Sequence, residues 1–332
     1  MSDLVAAVAW GVLTLYAVFG GADFGAGSWD LLAGRSPQAT RPRRLIEFAI
    51  GPVWEANHVW LIFVLVVMWT GFPSAFAAIM STLFIPLAVA ALGIVLRGSA
   101  FALRRSAAGR AERLATLAFG ISSVLTPLFL GAALGGIASG RVPAGNAAGD
   151  AVTSWVNPTS AVVGVLAVAV SAYLAAVFLV ADARRIADDE LERYFAMRAL
   201  AAAGVAGVVA AVGLVVLSFD SDYVFDRLVR EALPLVLASV ACGIANLLVL
   251  GRGGRLGTRA LAAAAVTAVI WAWGVAQHPY FLPKTLTIAA AAASQTTLAW
   301  LVAIVGCALV IVVPALALLY VLDQQSLLDE PR

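Results

Sequence analysis

The sequence predicts an all-α polytopic membrane protein, a bundle of about nine transmembrane helices. Three observations carry that expectation. Apolar residues make up 62% of the 332 residues and charged residues only 12%, against about 25% charged in an ordinary soluble domain. Mean hydropathy is +0.97. The apolar runs are continuous over about twenty residues, the length that crosses a bilayer as a helix, whereas barrel strands alternate polar and apolar. With 21 basic and 19 acidic residues, the chain cannot clothe a soluble surface. This composition excludes a soluble enzyme, a nucleic-acid binder and a disordered chain.

Nine runs meet the length requirement. They are Leu4–Trp29, Leu45–Gly71, Ser74–Leu96, Leu114–Ala138, Trp155–Val180, Ala196–Phe219, Ala232–Leu250, Ala260–Gln277 and Thr297–Leu322. The first run has no basic flank before it and no clear small-residue cleavage site, so it reads as a retained helix. The connections are short, and the longest are 139–154, 181–194 and 220–231. Residues 1–332 therefore read as one membrane domain without an internal repeat. Helices rich in Ala, Gly and Val suit close packing.

Basic residues set the orientation. With the N-terminus outside and the C-terminus cytoplasmic, 17 of the 21 Lys and Arg residues fall on inner segments, Arg97 among them. Only Arg141, Arg227, Arg230 and Lys284 face outward. Cys242 and Cys307 sit in apolar runs without metal-ligand spacing and read as small packing residues.

Ionisable groups inside a membrane are costly, which makes them functional hypotheses. Glu47, Glu55 and His58 share the second predicted span, within Gly51-Pro52-Val53-Trp54-Glu55-Ala56-Asn57-His58-Val59-Trp60 and the turns before it. Glu55 and His58 are neighbours on one helix face. On an unbroken helix, Glu47 would lie about 80° round from Glu55 and roughly 12 Å nearer the cytoplasm. That stripe reads either as a proton path ending near Glu55 and His58 or as a polar patch between packed helices. Pro52 removes a backbone hydrogen bond and can admit water. Trp54 and Trp60 flank the stripe. His58 as a haem ligand is the weaker alternative to a hydrogen-bonded packing role.

On the first span, the Gly-rich stretch around Asp23 follows no strand, so a nucleotide loop is excluded. It reads as close helix packing, with Asp23 near the inner surface as a structural polar residue that accepts hydrogen bonds or an arginine. Arg97 reads as a snorkelling residue at the end of the third span. The segment His278–Lys284 reads as a rigid outer turn, and Ser294 or Thr296 as caps of the last helix.

These segments together resemble subunit II of cytochrome bd quinol oxidase. The resemblance is carried by GADFGAG at 21–27, GPVWEANHVWLI at 51–62, Leu96-Arg97-Gly98, Asn157-Pro158, and HPYFLP followed by ASQTTL. Order, spacing and span count match along nearly the whole chain, and the second-span motif is the most specific. The resemblance implies an oxidase that oxidises membrane quinol and reduces dioxygen to water without pumping protons, taking its chemical protons from the cytoplasm. It implies that subunit I holds haems b558, b595 and d, that this chain binds no cofactor or metal alone, and that the two form a heterodimer. It implies a proton route at Glu55 and an oxygen route near Trp60; on the residues alone, Glu47 and His58 join that proton path, and Trp54 and Asn57 join Trp60 at the oxygen route or a subunit interface. It leaves room for a structural quinone and small accessory subunits, and it implies the plasma membrane of a prokaryote. The family often carries an acid where this chain has Gly20, and some members carry Asp for Glu55 and Gln for His58. Two other readings stand beside it: a proton-coupled secondary transporter and a purely structural membrane anchor.

Overall fold

The computed structural model describes residues 1–34, 39–51, 54–104, 106, 108–254 and 257–324, with the side chains of residues 54, 55, 316, 319, 320, 323 and 324 left outside the description. Helices α1 (Ser2–Leu15) and α2 (Gly21–Leu32) are joined by a π-helical turn, Tyr16–Gly20, into one helix of 31 residues. Then come α3 (Thr40–Ile50), α4 (Trp54–Gly71), α5 (Pro73–Thr82), α6 (Phe84–Arg104), α7 (Arg110–Ala138), α8 (Pro158–Arg185) and α9 (Asp189–Asp220). The chain continues through α10 (Asp222–Arg230), α11 (Leu233–Gly251), α12 (Thr258–Gln277), a two-stranded antiparallel ribbon of β1 (Tyr280–Leu282) and β2 (Leu286–Thr287), α13 (Ile288–Ala291) and α14 (Gln295–Gln324).

Eight helices among the described residues are long and apolar enough to cross a membrane, and the shorter apolar Ala56–Gly71 makes a ninth segment. Each predicted apolar run thus finds its helix, but two predicted spans are corrected. The second is not one described helix: α3 ends at Ile50 and α4 starts at Trp54, while Pro52 lies outside the described residues. At 11 residues, α3 is about 16 Å long and too short to span. The third is interrupted at Leu83, where φ is −100° and ψ is 24°. Pro86, in the first turn of α6, has no N–H to bond the Thr82 carbonyl, which favours a break there. Beyond the break, α6 continues past the predicted end at Leu96 to Arg104.

Lipid tails are as apolar as leucine, so close approach of backbones, more than apolar burial, holds such a bundle together. Helix α2 is the most enclosed, with Gly21 through Ser28 all buried. A Cβ at Gly25 would overlap the Ser171 carbonyl of α8, and the Trp29 indole donates to the Ala172 carbonyl at 2.8 Å. The Gly-rich stretch is therefore a packing seam. Around it lies the largest core, including Ile46, Phe101, Phe119, Leu174, Leu179 and Phe195. A second core joins α1, α4 and α14 through Val5, Ala9, Val67, Leu298 and Leu301. Outward faces are apolar too, for example Val208, Val212 and Val215 on α9, as a lipid-facing surface requires.

Side-chain caps fix several helix starts. Asn157 accepts from the Ser160 amide at 2.9 Å with Pro158 beginning α8. Asp188 accepts from the Leu191 amide at 3.0 Å, and Ser294 accepts from the Thr297 amide at 3.2 Å. The expected outer turn is the ribbon, with Lys284 at its tip at φ 63°. Cys242 and Cys307 are both free thiols.

Candidate functional site: a buried ladder of charges

Two carboxylates on α2 face two arginines on α6, and both pairs are seven residues apart, which is two helical turns. In the deeper pair, the Arg97 Nη2 donates to Asp23 Oδ1 at 2.7 Å and to the Asp23 carbonyl at 3.0 Å. The Arg97 Nε donates to Ser123 Oγ at 3.0 Å, and that hydroxyl donates to the Phe119 carbonyl at 2.7 Å. The guanidinium also packs on the Phe24 and Phe119 rings, 5.1 and 4.9 Å from their centroids. Arg97 is only 1% exposed. It does not snorkel from a helix end: α6 extends two further turns, and Asp23 supplies the countercharge. Asp23 accepts an arginine as expected.

Two turns nearer the inner end, the Arg104 Nη1 donates to Asp30 Oδ2 at 2.9 Å while its Nη2 meets Glu47. Arg43 approaches the other Asp30 oxygen at 3.5 Å. Asp30 is fully buried, whereas the Glu47 side chain is 47% exposed. The Arg104 guanidinium rests 5.1 Å from the same Phe119 ring that Arg97 touches. Glu47 belongs to α3 and joins Arg104, so the continuous stripe from Glu47 to His58 on one helix is corrected. The acidic ladder runs along α2 instead.

His58, on α4, packs its ring 6.2 Å from Phe24. Its Nδ1 is buried and without a hydrogen-bond partner among the described residues, as are Asp23 Oδ2 and the Tyr16 hydroxyl. Asn57 is buried and donates to the Phe19 carbonyl at 3.4 Å. Trp60, also buried, packs with Val12, Tyr16 and Phe24. Both are covered by their own chain. Glu55 lies in the first turn of α4, three residues before His58, but its side chain and that of Trp54 lie outside the described residues.

Sequence reasoning missed Asp30, Arg104, Tyr16 and Ser123. A signal for the first two was present: Asp23 and Asp30 repeat the spacing of Arg97 and Arg104. His278, the other histidine, is exposed at the end of α12, its Nε2 3.8 Å from Asp3 Oδ1. The two histidines thus sit on separate parts of the chain. Among the described residues, no group of three or more His, Cys, Asp or Glu could hold a metal ion.

The chain matches the model of the family described as cytochrome bd terminal oxidase subunit II over residues 1–323. A chain of the bd oxidase from Geobacillus thermodenitrificans superposes with a TM-score of 0.79 at 26% identity, covering 99% of both chains. In Bacillus subtilis, the cytochrome bd ubiquinol oxidase subunit 2 is 34% identical over 84 residues, which are 25% of this chain and 24% of that one. The putative cytochrome bd menaquinol oxidase subunit II of the same organism is 27% identical over 123 residues, 37% of this chain and 35% of that one. These matched stretches span about a quarter to a third of the curated relatives' length. A match over nearly the whole sequence and a shared fold over nearly the whole structure agree: this chain belongs to the cytochrome bd terminal oxidase subunit II family.

Proposed function

We propose that this chain is the haem-free subunit of a quinol:oxygen oxidoreductase in a bacterial plasma membrane, where it partners a haem-bearing subunit I. The observation that carries the reading is the correspondence over 99% of both chains with a chain of a bd oxidase. The complex would oxidise membrane quinol and reduce dioxygen to water. The haems b558, b595 and d would be held by subunit I. Whether a structural quinone or small accessory subunits join it is part of the same proposal.

The chain's own contribution would be to pass protons inward from the cytoplasmic side. Glu47, half exposed, would take them up. Glu55 and His58, three residues apart on α4, would hand them on, since a carboxyl and an imidazole can each take up and release a proton. Trp54, Trp60 and Asn57 would line an oxygen route beside them. Asp23 and Arg97 would hold α2 to α6 behind this path.

A reduced-minus-oxidised spectrum of the complex, and of this chain alone, tests the class. Haem d absorption is expected in the complex and none in the isolated chain; absence of haem d from the complex would favour a transporter or an anchor. Glu55→Gln tests the path: haem content stays normal and quinol-driven oxygen consumption per haem d falls. An unchanged rate makes Glu55 structural. His58→Ala is expected to leave all three haem bands present.

A further inference from the structure

Two rings and a guanidinium that is paired with Asp23 surround the Phe24 ring. The Phe24 ring lies 6.5 Å from the Tyr16 ring, 6.2 Å from the His58 ring and 5.1 Å from the Arg97 guanidinium carbon. Tyr16 and Asp23 are 6% and 5% exposed. The Tyr16 hydroxyl, Asp23 Oδ2 and His58 Nδ1 have no partner among the described residues. Gly20 lets the tyrosine reach this place: a Cβ there would stand 2.9 Å from Tyr16 Cε2 and 3.6 Å from Cζ. The ring therefore lies over the following turn, at Gly20. Asp23 and Arg97 both bear electrostatically on Tyr16 and on His58.

We infer that the Tyr16–Asp23–His58 junction is an internal water site, in which one water bridges the tyrosine hydroxyl, the free carboxylate oxygen and the histidine Nδ1. The valences close. Such a water accepts from the Tyr16 O–H and donates one proton to Asp23 Oδ2 and the other to His58 Nδ1. That makes about three hydrogen bonds, the usual number for a buried water. It also fixes the His58 tautomer, with Nδ1 accepting and Nε2 carrying the proton. Leaving the three groups bare would strand buried polar atoms that water satisfies in the unfolded chain, which is what the bridge avoids. A metal cation does not suit the place. Arg97 already neutralises Asp23, so a cation would bring an uncompensated positive charge into the bundle.

The inference does not rest on the oxidase reading, and its test reads no turnover. The whole complex is imaged by electron cryomicroscopy at a resolution that shows ordered waters. The wild-type map should hold one water density within hydrogen-bond distance of Tyr16 Oη, Asp23 Oδ2 and His58 Nδ1. In Tyr16→Phe, which keeps the ring, that density should be lost or displaced. A wild-type map without the density, or with these atoms met directly by protein or lipid groups, overturns the inference. So does an unchanged density in Tyr16→Phe. The wild-type map decides alone if the variant does not assemble.

Discussion

Arg97 and Asp23 meet at 2.7 Å although 74 residues separate them in sequence, and the side chains are 1% and 2% exposed. Removing one partner leaves an uncompensated buried charge, a loss of about 3–5 kcal/mol. Arg97→Leu and Asp23→Leu should each lower the amount of assembled complex in membranes. The double variant should recover part of that loss, because neither charge is then stranded. If the double variant accumulates no better than the worse single one, the pair is not the reason for the burial.

Gly25 is predicted to be intolerant of any side chain. A Cβ there overlaps the Ser171 carbonyl, so Gly25→Ala must push α2 away from α8 and disturb the Trp29 indole's bond to Ala172. Overpacking of this kind costs about 1–3 kcal/mol. Gly11, whose Cβ would meet nothing within 4 Å, supplies the control. Thermal denaturation of the purified complex should show a lowered midpoint for Gly25→Ala and little change for Gly11→Ala.

The inner connection between α8 and α9 should be sensitive to acid. The Leu191 amide, with Arg41 beside it, holds the Asp188 carboxyl below its ordinary value. A depressed folded-state pKa stabilises the protein above the unfolded value of about 4 and loses that contribution as pH falls through the lowered folded value. Asp188→Asn keeps the capping oxygen but cannot ionise. The thermal midpoint of the wild type should therefore fall more than that of Asp188→Asn on acidification below about pH 4. Parallel curves would remove Asp188 from the account.

Topology follows from the basic residues. Burial of Arg97 withdraws it from the inner count, and 16 inner against 4 outer residues still leave the N-terminus outside and the C-terminus cytoplasmic. A reporter that works only in the cytoplasm, fused after Arg332, should be active. A silent fusion there, with a periplasmic reporter active, would show that a span is missing or added.

Hydropathy made the helix count legible, because crossing a bilayer demands about twenty apolar residues in every span. It could not show where helices break. Leu83 interrupts a run that stays apolar on both sides. Arg97 shows a second limit. A charge at the edge of an apolar stretch reads the same whether it reaches for the interface or pairs with an acid on another helix. Only the shared two-turn spacing of Asp23 with Asp30 and of Arg97 with Arg104 hinted at the pairing. The Tyr16–Gly20 turn left no mark, since a π-helical turn changes the phase of a helix without changing its composition. The acids on the second span were legible as residues but not as a path, because α3 and α4 are separate helices.

The ladder along α2 and α6 also has an electrical consequence. Arg97 is matched by Asp23, and Arg104 and Arg43 by Asp30 and Glu47, so the ladder carries no net charge. An unmatched elementary charge carried across the membrane potential is worth about 2.3 kcal/mol per 100 mV. A ladder neutral in this way can sit in an energised membrane without being pulled along its normal, while a proton added to it would be a charge that feels the voltage.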